Sequence, residues 1–280
     1  MKQFAMTLVA ALLLTLALIA APAFVPGAGD ARADDANAVK PLKVLLVIGG
    51  CCHDYNKQKD VIKEGLEKRA NVVVTHAYDP DKGTRSLNPV YEKDDWAKGF
   101  DAVIHDECAA DVKDLAIIER ILKPHREGTP SVVLHCGVHC YRSDGWNKPG
   151  TPTPWQQFLG LQSTGHGRQA PIAVSYVDTT HPITTGLGNW TTINEELYNN
   201  ITGDVLPTAH ALARGKQDNQ DTIVTWTNVY NDKARVFSTT LGHNTATVAD
   251  DRYLDLVARG LLWSCGKLDD HGKPAPGYGK

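Results

Sequence analysis

The 280-residue sequence has no polybasic block and no marked excess of one charge. Lys and Arg number 29 against 32 Asp and Glu, a net charge of −3 with histidine neutral. Nothing in it would neutralise a nucleic-acid backbone or an anionic membrane surface, so neither is an expected partner. No internal repeat or low-complexity tract occurs between Lys43 and Lys267, which argues against a solenoid or an array. The histidines and cysteines match no established zinc-site spacing. What remains is an ordinary globular composition with one apolar run at its start.

That run, Phe4–Ala21, follows Lys2 and precedes Pro22, Pro26 and the small-x-small triplet Ala31-Arg32-Ala33. The pattern reads as a signal peptide over 1–33 with cleavage after Ala33, placing the mature protein in the periplasm or outside the cell, free of the membrane. The competing reading is an uncleaved anchor, because the run approaches the roughly 18 residues needed to span a bilayer. The remainder fits a single α/β domain over 34–268. A polar, Gly- and Pro-containing stretch, 269–280, reads as a flexible tail.

Within the domain, Leu42–Ile48 is apolar without alternation, as a strand buried on both faces should be. Gly49-Gly50 ends it. Lys57–Arg69 has helical spacing, Asn71–Ala77 is a short β-branched strand and Phe100–His105 is the next strand. Val112–Arg126 is an amphipathic helix, and Val132–Leu134 is the core of a central strand that runs into His135-Cys136-Gly137-Val138-His139-Cys140. Strand, helix, strand in this order argues a parallel, flavodoxin-like doubly wound sheet with right-handed crossovers. Ser143–Pro154 has the texture of a lid or binding loop, and Trp155–Leu161 that of a short helix. Ile172–Val177, Leu206–Leu212, Thr222–Val229 and Arg235–Thr240 read as an antiparallel extension, closed by a helix over Asp251–Ser264.

In an open α/β sheet, ligands bind outside the carboxyl ends of the strands. Cys51, Cys52, Cys108, Cys136 and Cys140 all fall at such ends, so bridges among them are plausible in an oxidising compartment, with connectivity open. Cys265 reads as core. His53 with Asp54, His105, His135, His139 and His243 also sit at strand ends, where topology would converge them. His166 lies between Gly165 and Gly167. Any single histidine is usually a satisfied polar residue, but several on one rim suggest a site.

Seven motifs occur in order: G-G-x-x-H-D (49–54), L-H-C-G-V-H (134–139), G-H-G-R-Q-A-P-I (165–172), H-P-I-T-x-G-L (181–187), E-E-L-Y (195–198), T-L-G-H-N (240–244) and R-G-L-L-W (259–263). Together they resemble the ThuA-like (trehalose utilisation) family. The resemblance implies a class I glutamine amidotransferase-like fold, a link to sugar metabolism and a small-molecule carbohydrate as partner. It implies no oligomeric state.

Three functional readings follow. In the first, a His/carboxylate pocket hydrolyses, cleaves by elimination or isomerises a sugar or keto-sugar, with a base to take a proton and an acid or metal to stabilise the oxyanion. His139, His243, His166 and Glu196 are its candidate catalytic residues, with Glu195 a further acid or ligand. His53, Asp54, His135, Trp146, Tyr198 and Asn244 are candidates for binding substrate. Histidine and carboxylate ligands with an open position would suit a divalent metal such as zinc. The second reading is a non-catalytic carbohydrate-binding or scaffold domain. The third is an amidotransferase-like hydrolase with Cys136 as nucleophile. It lacks the first Gly of G-x-C-x-G, and Asn244-Thr245 stands where a Pro-Glu pair would follow the histidine.

Overall fold

The apolar run after Pro41 forms strand β1 (Leu42–Gly50), in which only Lys43 is exposed. Val44, Leu46 and Ile48 enter one apolar cluster, and Leu45 and Val47 enter another on the opposite face. Burial of this kind contributes roughly 1.5 to 3 kcal/mol for each large apolar side chain, which explains why β1 shows no alternation. The computed structural model describes Met1 and residues 39–280; the leader expected over 1–33 lies outside the described residues.

One nine-stranded sheet organises residues 39–280. Its parallel part comprises β2 (Val72–Asp79), β1, β3 (Ala102–Cys108), β4 (Ser131–Leu134) and β9 (Ala234–Thr239). Beyond β9 the sheet continues antiparallel through β8 (Gln220–Tyr230), β7 (Ala209–Gln217), β5 (His166–Tyr176) and β6 (Trp190–Tyr198), giving the order β2-β1-β3-β4-β9-β8-β7-β5-β6. The parallel order is flavodoxin-like, with its switch point between β1 and β3. The fold class expected from the sequence is therefore present.

Helices α1 (Tyr55–Arg69) and α5 (Asp251–Ser264) cover one face, where Ile62 and Leu66 share a core with Leu254, Val257 and Leu261. Helices α2 (Leu115–Glu127) and α3 (Pro154–Leu159) cover the other through Ile118, Ile121, Leu122, Trp155 and Phe158. Local sequence sets their limits. Asp114 caps α2 by accepting from the Ala116 N–H, and Thr153 and Gln156 form a capping box on α3. A four-residue helix, α4 (Thr245–Val248), precedes α5. Among the described residues, no helix is long and apolar enough to cross a membrane.

Three expectations differ from the structure. Arg235–Thr240 is strand β9, but it pairs parallel with β4 and closes the parallel half rather than joining the extension. β6 was not anticipated, and E-E-L-Y lies in it. The stretch 269–280, expected as a flexible tail, lies back on the domain: the Asn71 N–H donates to the Tyr278 carbonyl, and Gly279 bridges to Ala70.

Candidate functional site

The parallel strands end in tight turns that bring their next residues together. A Cβ on Gly50 would stand 2.6 Å from the Cys108 carbonyl oxygen, and one on Gly137 2.6 Å from that of His105, so both positions require glycine. Between them, β4 passes directly into a 3₁₀ turn, His135–His139, and His135 adopts a left-handed φ of +38°. That strained strand-to-helix turn is where a nucleophile elbow presents its residue. Here it presents an imidazole.

Glu196 is the centre of the cluster. Its Oε2 lies 3.3 Å from His243 Nδ1 and 3.6 Å from both His135 Nε2 and His166 Nε2. The carboxylate is buried, His243 is half-buried, and the His166 side chain, 43 % exposed, stands at the mouth. Burial pushes the Glu196 carboxyl up, but the His135 and His243 imidazoles outweigh it and hold the group well below the usual carboxylate range. His243 moves the other way: its contact with Glu196 raises it against the effect of burial. His53 packs edge-on against His135 and His243, with centroids 4.7 Å from each. Burial first, then these two neighbours, lowers His53 to about 3, so it is neutral at physiological pH.

The frame around these rings is main chain. Glu195, fully buried beside Glu196, accepts the backbone N–H groups of Gly242, His243 and Asn244 at 3.0–3.1 Å. It therefore fixes the loop that carries His243. A Thr240 carbonyl lies 2.6 Å from His135 Nδ1, which makes that nitrogen an N–H donor and turns Nε2 toward Glu196. The His243 carbonyl, 3.3 Å from His53 Nδ1, fixes that tautomer in the same way. Tyr198 stacks on His139 at 4.0 Å and on His166 at 5.6 Å, with its hydroxyl 3.5 Å from His135 Nε2.

Of the residues expected to build the site, His53, His135, His166, His243, Glu196 and Tyr198 converge. His139 does not reach the Glu196 carboxylate. It lies behind the Tyr198 ring, 2.8 Å from Ser163 Oγ, and burial and then the Arg142 charge lower it well below the ordinary histidine range. Trp146 is buried against His139, at a centroid distance of 6.2 Å. Asp54 pairs with Lys57 at 3.1 Å and makes no bond to His53. Asn244 caps α4 by accepting from the Ala246 N–H. His105, expected on this rim, is fully buried within β3 beneath the opposite helix layer. Glu195, expected as an acid or ligand, is instead the loop clamp. The doubled acidic residue on a β-branched segment was its only signal.

The cysteines also depart from a simple staple. Cys51 and Cys52 are bonded to each other, while Cys108, Cys136, Cys140 and Cys265 are free. Cys265, half-buried at the C-terminal end of α5, packs against the core. Cys136 sits one residue beyond the elbow, turned inward to Cys108 Sγ at 3.2 Å, and that contact and then burial raise its thiol. It has the His53 Nε2 partner at 3.1 Å, but a raised thiol beside a neutral imidazole is not an activated thiolate.

His53, His135 and His243 each offer a ring nitrogen within 4.8 Å of the others, and the buried His243 Nδ1 meets Glu196 Oε2 at 3.3 Å outside hydrogen-bond geometry. With Glu196 beside them, these nitrogens fit the N/O donor set of zinc or a similar divalent ion. One cleft, of about 230 Å³, reaches the cluster at His53 and is lined also by Gly50, Tyr55 and Tyr78. Another, of about 470 Å³, is lined by Arg142, Ser143, Trp146 and Thr164 and by no residue of the cluster.

Residues 43–264 match the ThuA family, described as trehalose utilisation. A ThuA-like protein from Parabacteroides merdae ATCC 43184 shares the fold at 20 % identity and a TM-score of 0.60, covering 86 % of this chain and 97 % of its own. Another, from Bacteroides uniformis ATCC 8492, does so at 14 % identity and a TM-score of 0.57, covering 81 % and 95 %. No curated protein matched the chain.

Proposed function

The chain belongs to the ThuA family, and from that premise we propose that it is a carbohydrate-active enzyme working by general acid–base catalysis, with Glu196 and His243 as the pair that supplies the proton. The observation that carries this reading is the contact itself, a buried carboxylate 3.3 Å from a half-buried imidazole beside the strand ends. Each favours the charged form of the other: against burial, His135 and His243 hold Glu196 below its ordinary range, and Glu196 raises His243. Within the pair Glu196 is the counter-charge, and the imidazolium it favours on His243 donates to a departing or developing oxygen on the sugar. His166 at the mouth and Tyr198 behind it form a wall of rings on which a pyranose can lie. His53 and His135, with their Nδ1 atoms held by carbonyls, orient His243 and Glu196.

In the metal-assisted form of this reading His243 is neutral and a ligand instead of the acid: a divalent ion held by His53, His135 and His243 would act as a Lewis acid on a sugar carbonyl. The Ala31-Arg32-Ala33 leader pattern supports export to the periplasm or beyond. A non-catalytic binding domain has less support, because binding a neutral sugar does not require a buried carboxylate among three imidazoles. The test is turnover of 3-keto-glycosides and their parent disaccharides by purified protein, with and without chelator, against Glu196→Gln and His243→Asn. Turnover by the parent and its loss in both variants is the expected result. Tight sugar binding with no product in any of the three proteins would leave the binding domain as the better reading.

A further inference from the structure

A row of sulfurs runs from the surface to the histidine cluster. Cys52 is exposed and bonded to half-buried Cys51. Cys51 Sγ lies 3.2 Å from Cys108 Sγ, and Cys108 Sγ lies 3.2 Å from Cys136 Sγ. Cys136 Sγ lies 3.1 Å from His53 Nε2. Because His53 Nδ1 faces the His243 carbonyl at 3.3 Å, its Nε2 is an acceptor, and the one Cys136 S–H lies between two acceptors, Cys108 Sγ and His53 Nε2. Cys140 stands outside the row, since its thiol donates to the Glu107 carbonyl at 2.9 Å and its sulfur accepts the Ala109 N–H.

We infer that Cys51, Cys52, Cys108 and Cys136 form an internal thiol–disulfide relay that couples the redox state of the surface pair to His53. In the first step the Cys108 thiolate attacks Cys51 Sγ. The Cys51–Cys52 bond breaks, Cys51–Cys108 forms, and Cys52 leaves as a thiolate that takes up the proton Cys108 released. In the second step, the slower of the two because contact with Cys108 and burial keep the Cys136 thiol protonated, the small fraction of Cys136 that has lost its proton attacks Cys108 Sγ. Cys51–Cys108 breaks, Cys108–Cys136 forms, and Cys51 leaves with the proton from Cys136. One disulfide and the same number of thiols are present throughout, so the transfer is an isomerisation and needs no oxidant. Its inner end-point removes the S–H within reach of His53 Nε2.

The neighbouring structure suits the exchange. Cys108 ends β3 and Cys136 follows the adjacent parallel strand β4, and the turns that carry Cys51 and Cys136 each approach the main chain of β3 so closely that Gly50 and Gly137 cannot take a Cβ. The sulfurs are therefore held in contact by backbone, with no loop closure to complete.

The experiment is disulfide mapping of the whole folded protein, incubated at pH 8, quenched in acid, alkylated and digested for mass spectrometry. The expected result is Cys51–Cys108 and Cys108–Cys136 peptides growing in as Cys51–Cys52 declines to a plateau. In Cys52→Ser oxidised with glutathione disulfide, the bond should appear at Cys51–Cys108 or Cys108–Cys136. In Cys136→Ser it should stop at Cys108. A Cys51–Cys52 bond that persists alone with Cys108 and Cys136 fully alkylated, or a Cys52→Ser protein that holds only a glutathione adduct at Cys51, would overturn the relay. The mapping uses no substrate, so its failure is distinct from failure of the acid–base reading.

Discussion

Two histidine clusters sit on the same sheet barely a strand apart, and they are built to opposite ends. Beneath the α2/α3 layer, His105 and His125 are fully buried, with their Nε2 atoms 3.1 Å apart. The His125 Nδ1–H donates to the Thr129 carbonyl at 2.8 Å, and Glu107 Oε1 accepts from both the Tyr91 and Tyr141 hydroxyls at 2.7 Å, with His105 Nδ1 3.0 Å away. Every ring nitrogen there has a partner. Glu107 Oε2 alone is left without a partner in that cluster. At the rim, His166 is exposed, and three imidazoles lie at 3.3–3.6 Å from one carboxylate oxygen, the His243 Nδ1 contact outside hydrogen-bond geometry. A buried network with every ring nitrogen partnered specifies a core, whereas one whose rings reach solvent is free to bind and exchange protons. Histidine number alone does not separate a site from a core; exposure of the rings does.

The comparison can be broken by exchanging the effects. Glu196→Gln should lower kcat by about 10²- to 10⁴-fold, the usual contribution of a positioned acid or base, while moving the urea midpoint far less than the next substitution. Glu107→Ala should lower the unfolding free energy by about 3 to 5 kcal/mol, because it strands two buried hydroxyls and an imidazole, and leave kcat of the folded fraction near that of the parent. If Glu107→Ala abolished turnover in a fully folded protein, the division between the clusters would fail.

Two finer measurements sharpen it. With His243 as the acid, and its folded value raised by Glu196, activity should be level through mildly acidic pH and fall as pH rises through that value, above the ordinary ~6.5. Replacing Glu196 removes what raises it, so the residual activity of Glu196→Gln should fall at lower pH. The buried cluster should report in stability instead. His125 is lowered to about 3 by burial, then by His105. The unfolded chain therefore binds more protons between about 3 and the ordinary ~6.5. Its contribution is complete above ~6.5 and lost as pH falls toward 3. His125→Gln should flatten the acid slope of the urea midpoint, which the parent should show. The smallest effect expected is from His166→Gln, about tenfold or less in kcat/KM, because it lies at the exposed mouth.

Much of this was legible in the sequence, and the reasons are physical. β1 and β4 carry unbroken apolar runs because both their faces are covered, and glycine follows each within a few residues because carbonyls crowd the turn. The motif series located Glu196 and Tyr198 without revealing their strand. β6 was obscure because its pairing with β5 shifts register twice, and after Trp190 and Thr192 the buried positions stop alternating. His105 was misplaced because β3 runs on to Cys108, leaving the histidine inside the strand rather than at its end. The separation of Glu195 from Glu196 is a three-dimensional fact: identical neighbours, one spent on three backbone N–H groups and the other left to the imidazoles.

That clamp has a consequence for how the pocket could be remodelled. Glu195 holds residues 242–244 by their main chain, so it is indifferent to which side chains positions 243 and 244 display. A substitution at 243 can therefore remove the imidazole while the loop keeps its path, so His243→Asn reports on the proton donor rather than on the loop. Asn244 also caps α4 with its side chain, and it and Glu195 belong among the residues to leave untouched.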